Sequence, residues 1–118
     1  MKDHLIYFRQ ILEAINRIVE YTAEGESAFL ADRRTQDAVS RNIQIIGQAA
    51  SRVPTDERSR HPDIPWLAII GMRNAIVHEY DSVQLDLVWG VIERNLPELL
   101  AGIRQALQQD GGDSHGQA

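Results

Sequence analysis

The sequence predicts an all-α protein, a four- to five-helix up-down bundle, and three observations support this fold class. Apolar residues recur every three or four positions along the long segments of the chain, which is the spacing of one face of an α-helix. No segment alternates apolar and polar residues as a half-buried strand does. The 118 residues suffice for one domain with one core, and the short links between helical segments favour a bundle.

The first helix is predicted over residues 3–23, where two apolar stripes lie side by side. A face of this width exceeds what one packing partner needs, so it predicts either a bundle interior or a subunit interface. The first stripe comprises Leu5, Phe8, Leu12, Ile15 and Val19, and the second comprises Tyr7, Ile11, Ala14, Ile18 and Tyr21.

The second long helix is predicted over residues 33–53, after a short helical turn at 27–32. Gly47 inside it costs about 1 kcal/mol relative to alanine, which favours a close helix crossing there. Pro54 ends this helix, and the prolines and charges of residues 54–65 predict a loop. The core stripe of the helix is Val39, Ile43, Ile46, Ala50 and Val53.

The central and last helices complete the predicted bundle. Pro65 suits the first position of the central helix, where its missing N–H costs nothing, and this helix is expected to run to about His78. The last helix is predicted over residues 83–109. Pro97 lies inside it and removes one backbone hydrogen bond, so a kink is expected.

Residues 1–109 are predicted to form the helical domain, and the polar, glycine-rich residues 110–118 are predicted to form a disordered tail.

The composition and the absence of targeting patterns indicate the cellular compartment. The chain has no cysteine, which excludes disulfides and thiolate metal sites. No secretory signal and no membrane-spanning run is visible in the sequence. We therefore expect a cytoplasmic protein.

The net charge of −5 argues against a protein that coats nucleic acid by charge alone. Arginines concentrate between Arg33 and Arg60, however, where acidic residues are few. A local positive face is one interpretation of this pattern, and an ordinary solvated helix face is the other. On the second long helix, the residues Arg41, Gln44 and Gln48 are candidates to border a cleft.

The end of the central helix carries a polar cluster that a core helix does not need: Arg73, Asn74, His78 and Tyr80. Asn74 and His78 are four residues apart and share a helix face. Histidine exchanges protons near neutral pH, and arginine binds and neutralises phosphate oxygens. We interpret the cluster as a site for cleaving RNA phosphodiesters. No metal or cofactor is expected, because the 2′-hydroxyl of RNA can act as the nucleophile.

Each of these residues also has a structural interpretation. A histidine near a helix C-terminus can hydrogen-bond to the exposed carbonyl groups and interacts favourably with the helix dipole. A tyrosine just after a helix is often half-buried and packs against its neighbours. The remaining histidines, His4, His61 and His115, are expected to be solvated. The two tryptophans are expected to belong to the core.

The segment from Arg73 to Tyr80 resembles the R-x4-H-x-Y motif of the HepT-like toxins, small all-α ribonucleases of the HEPN superfamily. The resemblance extends over nearly the whole chain, to about residue 107. It includes Ile64-Pro65-Trp66, Ile70-Gly71-Met72, Ile45-Ile46-Gly47 and Leu96-Pro97.

The resemblance implies a homodimer in which two motifs form one composite, metal-independent endoribonuclease cleft. It matches Arg73 and His78 to the catalytic pair and Asn74 to the polar residue beside it. In type VII toxin–antitoxin pairs, a minimal nucleotidyltransferase antitoxin transfers AMP to the motif tyrosine, here Tyr80. An added anion at the cleft mouth would repel RNA phosphates.

One position departs from the family pattern. Many relatives have Gly-Glu-Ala in the second helix, where this chain has Gly47-Gln48-Ala49. The loss of a carboxylate at Gln48 keeps an alternative open. In that alternative the dimer binds RNA or nucleotide without cutting, or serves as the acceptor or partner subunit of a nucleotidyltransferase.

Overall fold

A computed structural model of the chain describes residues 4–76 and 82–112, and within these ranges the side chains of 73–76, 82–84 and 111–112 are not described. The described part is helical and contains no strand, which confirms the all-α prediction. The helices are α1 His4–Tyr21, α2 Glu26–Ala31, α3 Arg33–Arg52, α4 Thr55–Ser59, α5 Trp66–Ile76, α6 Ser82–Gly90 and α7 Leu96–Leu107. Two π-helical turns, Val91–Asn95 and Gln108–Gly112, follow α6 and α7.

The core is formed where α1 and α3 pack along each other, with α5 against α3 and α7 against α1. The predicted stripe of α3 is buried along its whole length. Each buried large apolar side chain contributes about 1.5–3 kcal/mol relative to exposure. The fully buried side chains include Phe8, Ile11, Ile15, Ile18, Val39, Ile43, Ile46, Leu99 and Ile103. α1 and α3 are therefore the frame on which α5 is held.

The wide apolar face predicted for α1 is buried only in part. Ile11 and Ile18 are buried, whereas Val19 and Tyr21 are 54% and 41% exposed. The two long neighbours of α1, α3 and α7, cover the stripes along most of the helix but leave these two side chains at its C-terminal end uncovered.

The loop predicted over residues 54–65 contains a helix, α4, and the prediction was wrong there. Pro54 ends α3 as expected, but its carbonyl accepts the N–H of Arg58 at 3.0 Å and so begins a new helical turn. The acidic Asp56 and Glu57 lie in the first turn of α4, where negative charge favours a helix N-terminus.

The last predicted helix is interrupted at the π-helical turn Val91–Asn95. Pro97 cannot donate to the carbonyl of the residue four positions earlier, and the chain forms a wide turn in which the N–H of Leu96 reaches the carbonyl of Val91. The disturbance expected from Pro97 thus takes the form of a widened turn immediately before it.

The helical structure also continues past residue 109. Asp110, which belongs to the tail that the sequence predicts to be disordered, lies in the turn Gln108–Gly112 and is 4% exposed. The division of the chain into a domain and a tail otherwise stays a prediction. None of the helices in residues 4–76 and 82–112 has both the length and the apolar character that crossing a membrane requires.

Candidate functional site

The start of α5 is fixed by Trp66, which is buried as predicted. Its indole Nε1 donates to the carbonyls of Arg58 and His61, both at 3.1 Å. Its ring stacks on Phe8 of α1, with centroids 5.9 Å apart and planes at 22°. The other tryptophan, Trp89, is partly buried against the core, so the core prediction holds for both. The helix that carries the motif is therefore anchored at its first residue.

From Leu67 to Met72, α5 has one packed side and one open side. Ile69 is buried, whereas Leu67 is 79% exposed, and a Cβ added at Gly71 would meet no atom within 4 Å. An exposed leucine and an open glycine on one short helix leave room for another molecule to approach, although isolated apolar residues are common on protein surfaces.

The predicted catalytic residues fall at or beyond the end of this helix. Arg73 and Asn74 belong to the backbone of α5, in its last turn and a half, but their side chains are outside the described part. His78 and Tyr80 lie outside the described residues altogether. The arrangement of these four side chains therefore stays a prediction.

The residues predicted to border a cleft lie on α3, the helix against which α5 packs. Arg41 and Gln48 are exposed and Gln44 is partly buried. Their spacing of three and four residues places them on one side of α3. They are thus accessible to a ligand on the neighbour of the motif helix, and their contact with the motif stays a prediction.

A cavity of about 230 Å³ lies between α5 and the last helical segments. Its lining is mostly apolar, and Asn95 is the polar residue among those that line it. Such a lining suits apolar groups rather than the phosphates of RNA. It is lined by Pro65, Ala68, Ile69, Met72, Val91, Asn95, Leu96 and Leu99.

A buried polar cluster that the sequence analysis missed lies where α1 begins. His4 and His61 were expected to be solvated, but they are only 5% and 8% exposed. Both imidazole Nε2 atoms point to the same oxygen, Oδ2 of Asp110, at 2.9 and 3.0 Å. Because an ionised carboxylate only accepts, both rings carry their hydrogen on Nε2 in this arrangement.

Two further charged groups complete the cluster. Arg60 donates to Oδ1 of Asp110 and to Oε1 of Glu57, both at 3.3 Å, and Glu57 Oε1 lies 3.4 Å from His4 Nε2. Burial raises the pKa of the Asp110 carboxyl. The hydrogen bonds from His61 and His4 and the nearby charges of His61 and Arg60 outweigh it, leaving that pKa below its ordinary value of 3.8.

No local pattern in the sequence could have revealed this cluster, because His4 and Asp110 are 106 positions apart. Only the packing of the two chain ends brings the groups together. The cluster joins the first turn of α1 to α4 and to the last described turn. Through the carbonyl of His61 it also contacts Trp66 at the start of α5.

Comparison with known proteins identifies relatives over most of the chain. Residues 11–106 match the family model described as "Ribonuclease HepT-like". The chain is 37% identical over 99 residues to a "Probable ribonuclease HepT" of Thermococcus cleftensis, covering 83% of this chain and 90% of that protein. No solved structure matches the chain significantly.

Two further relatives carry ribonuclease names. One is a "Gamma-glutamylcyclotransferase and putative RNase" of Methanocaldococcus jannaschii, 37% identical over 109 residues, which are 92% of this chain and 49% of that protein. The other, a "Putative RNase" of Caldanaerobacter subterraneus, is 32% identical over 112 residues, covering 93% of this chain and 99% of that protein.

Proposed function

Because the chain belongs to the HepT-like ribonuclease family, we propose that it is an endoribonuclease and the toxin of a type VII toxin–antitoxin pair. The observation that carries the proposal is the extent of the family match, since residues 11–106 include the whole segment from Arg73 to Tyr80. The position of Arg73 near the end of an anchored, half-exposed helix is consistent with it.

The proposed reaction is an internal transfer within RNA. The 2′-oxygen attacks the adjacent phosphorus, the bond to the 5′-oxygen breaks, and the products are a 2′,3′-cyclic phosphate and a 5′-hydroxyl. His78 moves the proton that this exchange requires, and Arg73 stabilises the negative charge that develops on the phosphate oxygens. Asn74 orients His78 or the substrate. In this scheme no metal ion takes part in the chemistry.

The active cleft is proposed to form between two copies of the chain. The exposed Leu67 and the open approach at Gly71 lie on the same helix as Arg73, so a second copy packed there would bring two motifs together. Arg41, Gln44 and Gln48 of α3 would border the cleft and contact the RNA strand. The dimer thus supplies paired guanidinium and imidazole groups for one RNA strand.

The ribonuclease proposal is tested by cleavage of a labelled RNA in the presence of EDTA. We expect His78→Ala to lower the rate by about 10²–10⁴-fold and Arg73→Ala by about 10²–10³-fold. The matched controls are His115→Ala, in the predicted tail, and Arg104→Ala, at an exposed position of α7, and both should cleave like the wild type. Equal cleavage by the wild type and all four variants would refute the proposal.

The antitoxin partner is proposed to be a minimal nucleotidyltransferase that modifies Tyr80. The phenolic oxygen attacks the α-phosphorus of ATP, pyrophosphate leaves, and the phenolic proton passes to a base of the partner enzyme or to solvent. Mass spectrometry after incubation with the neighbouring nucleotidyltransferase and ATP should show one AMP per chain. Tyr80→Phe should abolish it and Tyr21→Phe, at an exposed tyrosine, should not. Modification that persists in Tyr80→Phe would refute the assignment.

A non-catalytic dimer that binds RNA or nucleotide, or that serves as a partner subunit, is the second candidate. Gln48 favours it, because an exposed amide stands where the family resemblance implies a carboxylate. If the lost charge limits catalysis, Gln48→Glu should raise the cleavage rate or shift its pH dependence. A wild-type protein that binds RNA but does not cleave it would establish this second candidate.

A further inference from the structure

We propose that the buried cluster at the start of α1 is a divalent metal site suited to Zn²⁺, with His4, Glu57 and Asp110 as ligands and His61 beside them. One ligand atom from each of the three residues lies within 4.8 Å of the others. Imidazole nitrogen and carboxylate oxygen are ligands that Zn²⁺ takes in proteins. The site is separate from the motif of α5 and does not depend on the ribonuclease proposal.

The spacing of the atoms fits tetrahedral coordination. Bonds of about 2.0–2.1 Å at tetrahedral angles place neighbouring ligand atoms about 3.3 Å apart. Here His4 Nε2 lies 2.9 Å from Asp110 Oδ2 and 3.4 Å from Glu57 Oε1. His61 Nε2 lies 3.0 Å from the same Asp110 oxygen and is the nearest candidate for the fourth position. Tetrahedral spacing would require His4 Nε2 and Asp110 Oδ2 to separate slightly and the His61 side chain to move closer to the other ligands.

The surroundings orient the ligands as those of metal sites do. Arg60 holds the other oxygen of Asp110, Oδ1, and so leaves Oδ2 facing the two histidines. Arg60 also donates to Glu57 Oε1, which would accept this hydrogen bond and bind the ion at the same time. The ring of Phe8 packs edge-on against both imidazoles, at 5.2 Å from His4 and 5.6 Å from His61. Such fixed second contacts set the orientation of metal ligands. On binding, each ligating ring would carry its hydrogen on Nδ1 and present the Nε2 lone pair to the ion.

Burial indicates a structural rather than a catalytic role for the ion. His4, His61 and Asp110 are each less than a tenth exposed, so the site offers substrate little access. An ion there would join the start of α1, the short helix α4 and the last described turn. Because the His61 carbonyl accepts from Trp66, the same ion would steady the start of α5, which carries the motif.

The experiment is a Zn²⁺ titration of tag-free, EDTA-treated protein by calorimetry, with native mass spectrometry for stoichiometry. We expect one Zn²⁺ per chain and a higher unfolding temperature with Zn²⁺ than with EDTA. His4→Gln and Asp110→Asn keep hydrogen-bonding groups of similar shape but lose the ligand atom, and should weaken binding by at least 100-fold. Asp63→Asn, at an exposed carboxylate close to His61, should bind like the wild type.

Measurement of Zn²⁺ binding by the wild-type protein is enough to overturn the proposal. If it binds no Zn²⁺ at micromolar concentration, the cluster is a metal-free hydrogen-bonded network. Binding that survives unchanged in both His4→Gln and Asp110→Asn would place the ion elsewhere and equally refute this site. Substitution with Co²⁺ gives a second readout, because a tetrahedral site produces strong visible absorption that should be absent in His4→Gln.

Discussion

Replacing Asp110 by alanine tests the packing of the last described turn. In EDTA the wild-type carboxylate accepts from two buried imidazoles, at 2.9 and 3.0 Å, and pairs with the half-exposed Arg60. Each buried donor left without an acceptor costs about 1–3 kcal/mol, so the two histidines account for about 2–6 kcal/mol. The ion pair between Asp110 and the half-exposed Arg60 adds at most about 1 kcal/mol. We expect Asp110→Ala to lower the free energy of unfolding by about 2–7 kcal/mol.

Urea denaturation followed by circular dichroism measures this loss directly. Asp110→Asn keeps one carbonyl acceptor and should lose less free energy of unfolding than Asp110→Ala does. Gln109→Ala, at the exposed neighbouring position, should stay within about 0.5 kcal/mol of the wild type. If Asp110→Ala also stays within about 0.5 kcal/mol, the carboxylate contributes nothing to the folded state, and the chain is disordered from residue 110 as the sequence predicts.

Three further results are expected from the described helices. The Thr35 hydroxyl and the Arg34 N–H hold the pKa of Asp32 below its ordinary value of 3.8, so the stability lost in Asp32→Ala should be constant above about pH 4 and shrink as pH falls below it. Thermal unfolding across pH measures this difference. Within one chain Gly71→Ala meets open space, so it should raise the stability of the separate chain by up to about 1 kcal/mol at concentrations too low for two copies to associate. Gly102→Ala would place its Cβ 2.8 Å from a buried isoleucine and should lower stability by about 1–2 kcal/mol, which urea denaturation of both variants measures.

The core of the fold was predictable because its signal is periodic and local. The stripe of α3 from Val39 to Val53 is buried as its spacing predicts, and Pro54 ends the helix. The exposure of Val19 was not predictable, since it depends on which helices pack beside α1. The helix after Pro54 was not predicted because proline ends a helix but is also common at the start of the next one.

The two candidate sites differ in how the sequence reveals them. Arg73, Asn74, His78 and Tyr80 form a short linear motif, so the sequence alone identifies them, although their side-chain geometry lies outside the described part. The metal site unites residues from both ends of the chain. Each of those residues looks solvated in its local context, and only tertiary packing buries them together.

The most direct test of the central proposal, one ribonuclease cleft shared by two copies, is a subunit-mixing experiment. Arg73→Ala and His78→Ala proteins are unfolded together and refolded as a mixture, and cleavage of labelled RNA is compared with that of each variant alone. A mixed dimer retains one Arg73 and one His78 on different chains. The proposal predicts that the mixture regains cleavage while each separate variant stays inactive. A mixture no more active than the separate variants would contradict a shared cleft.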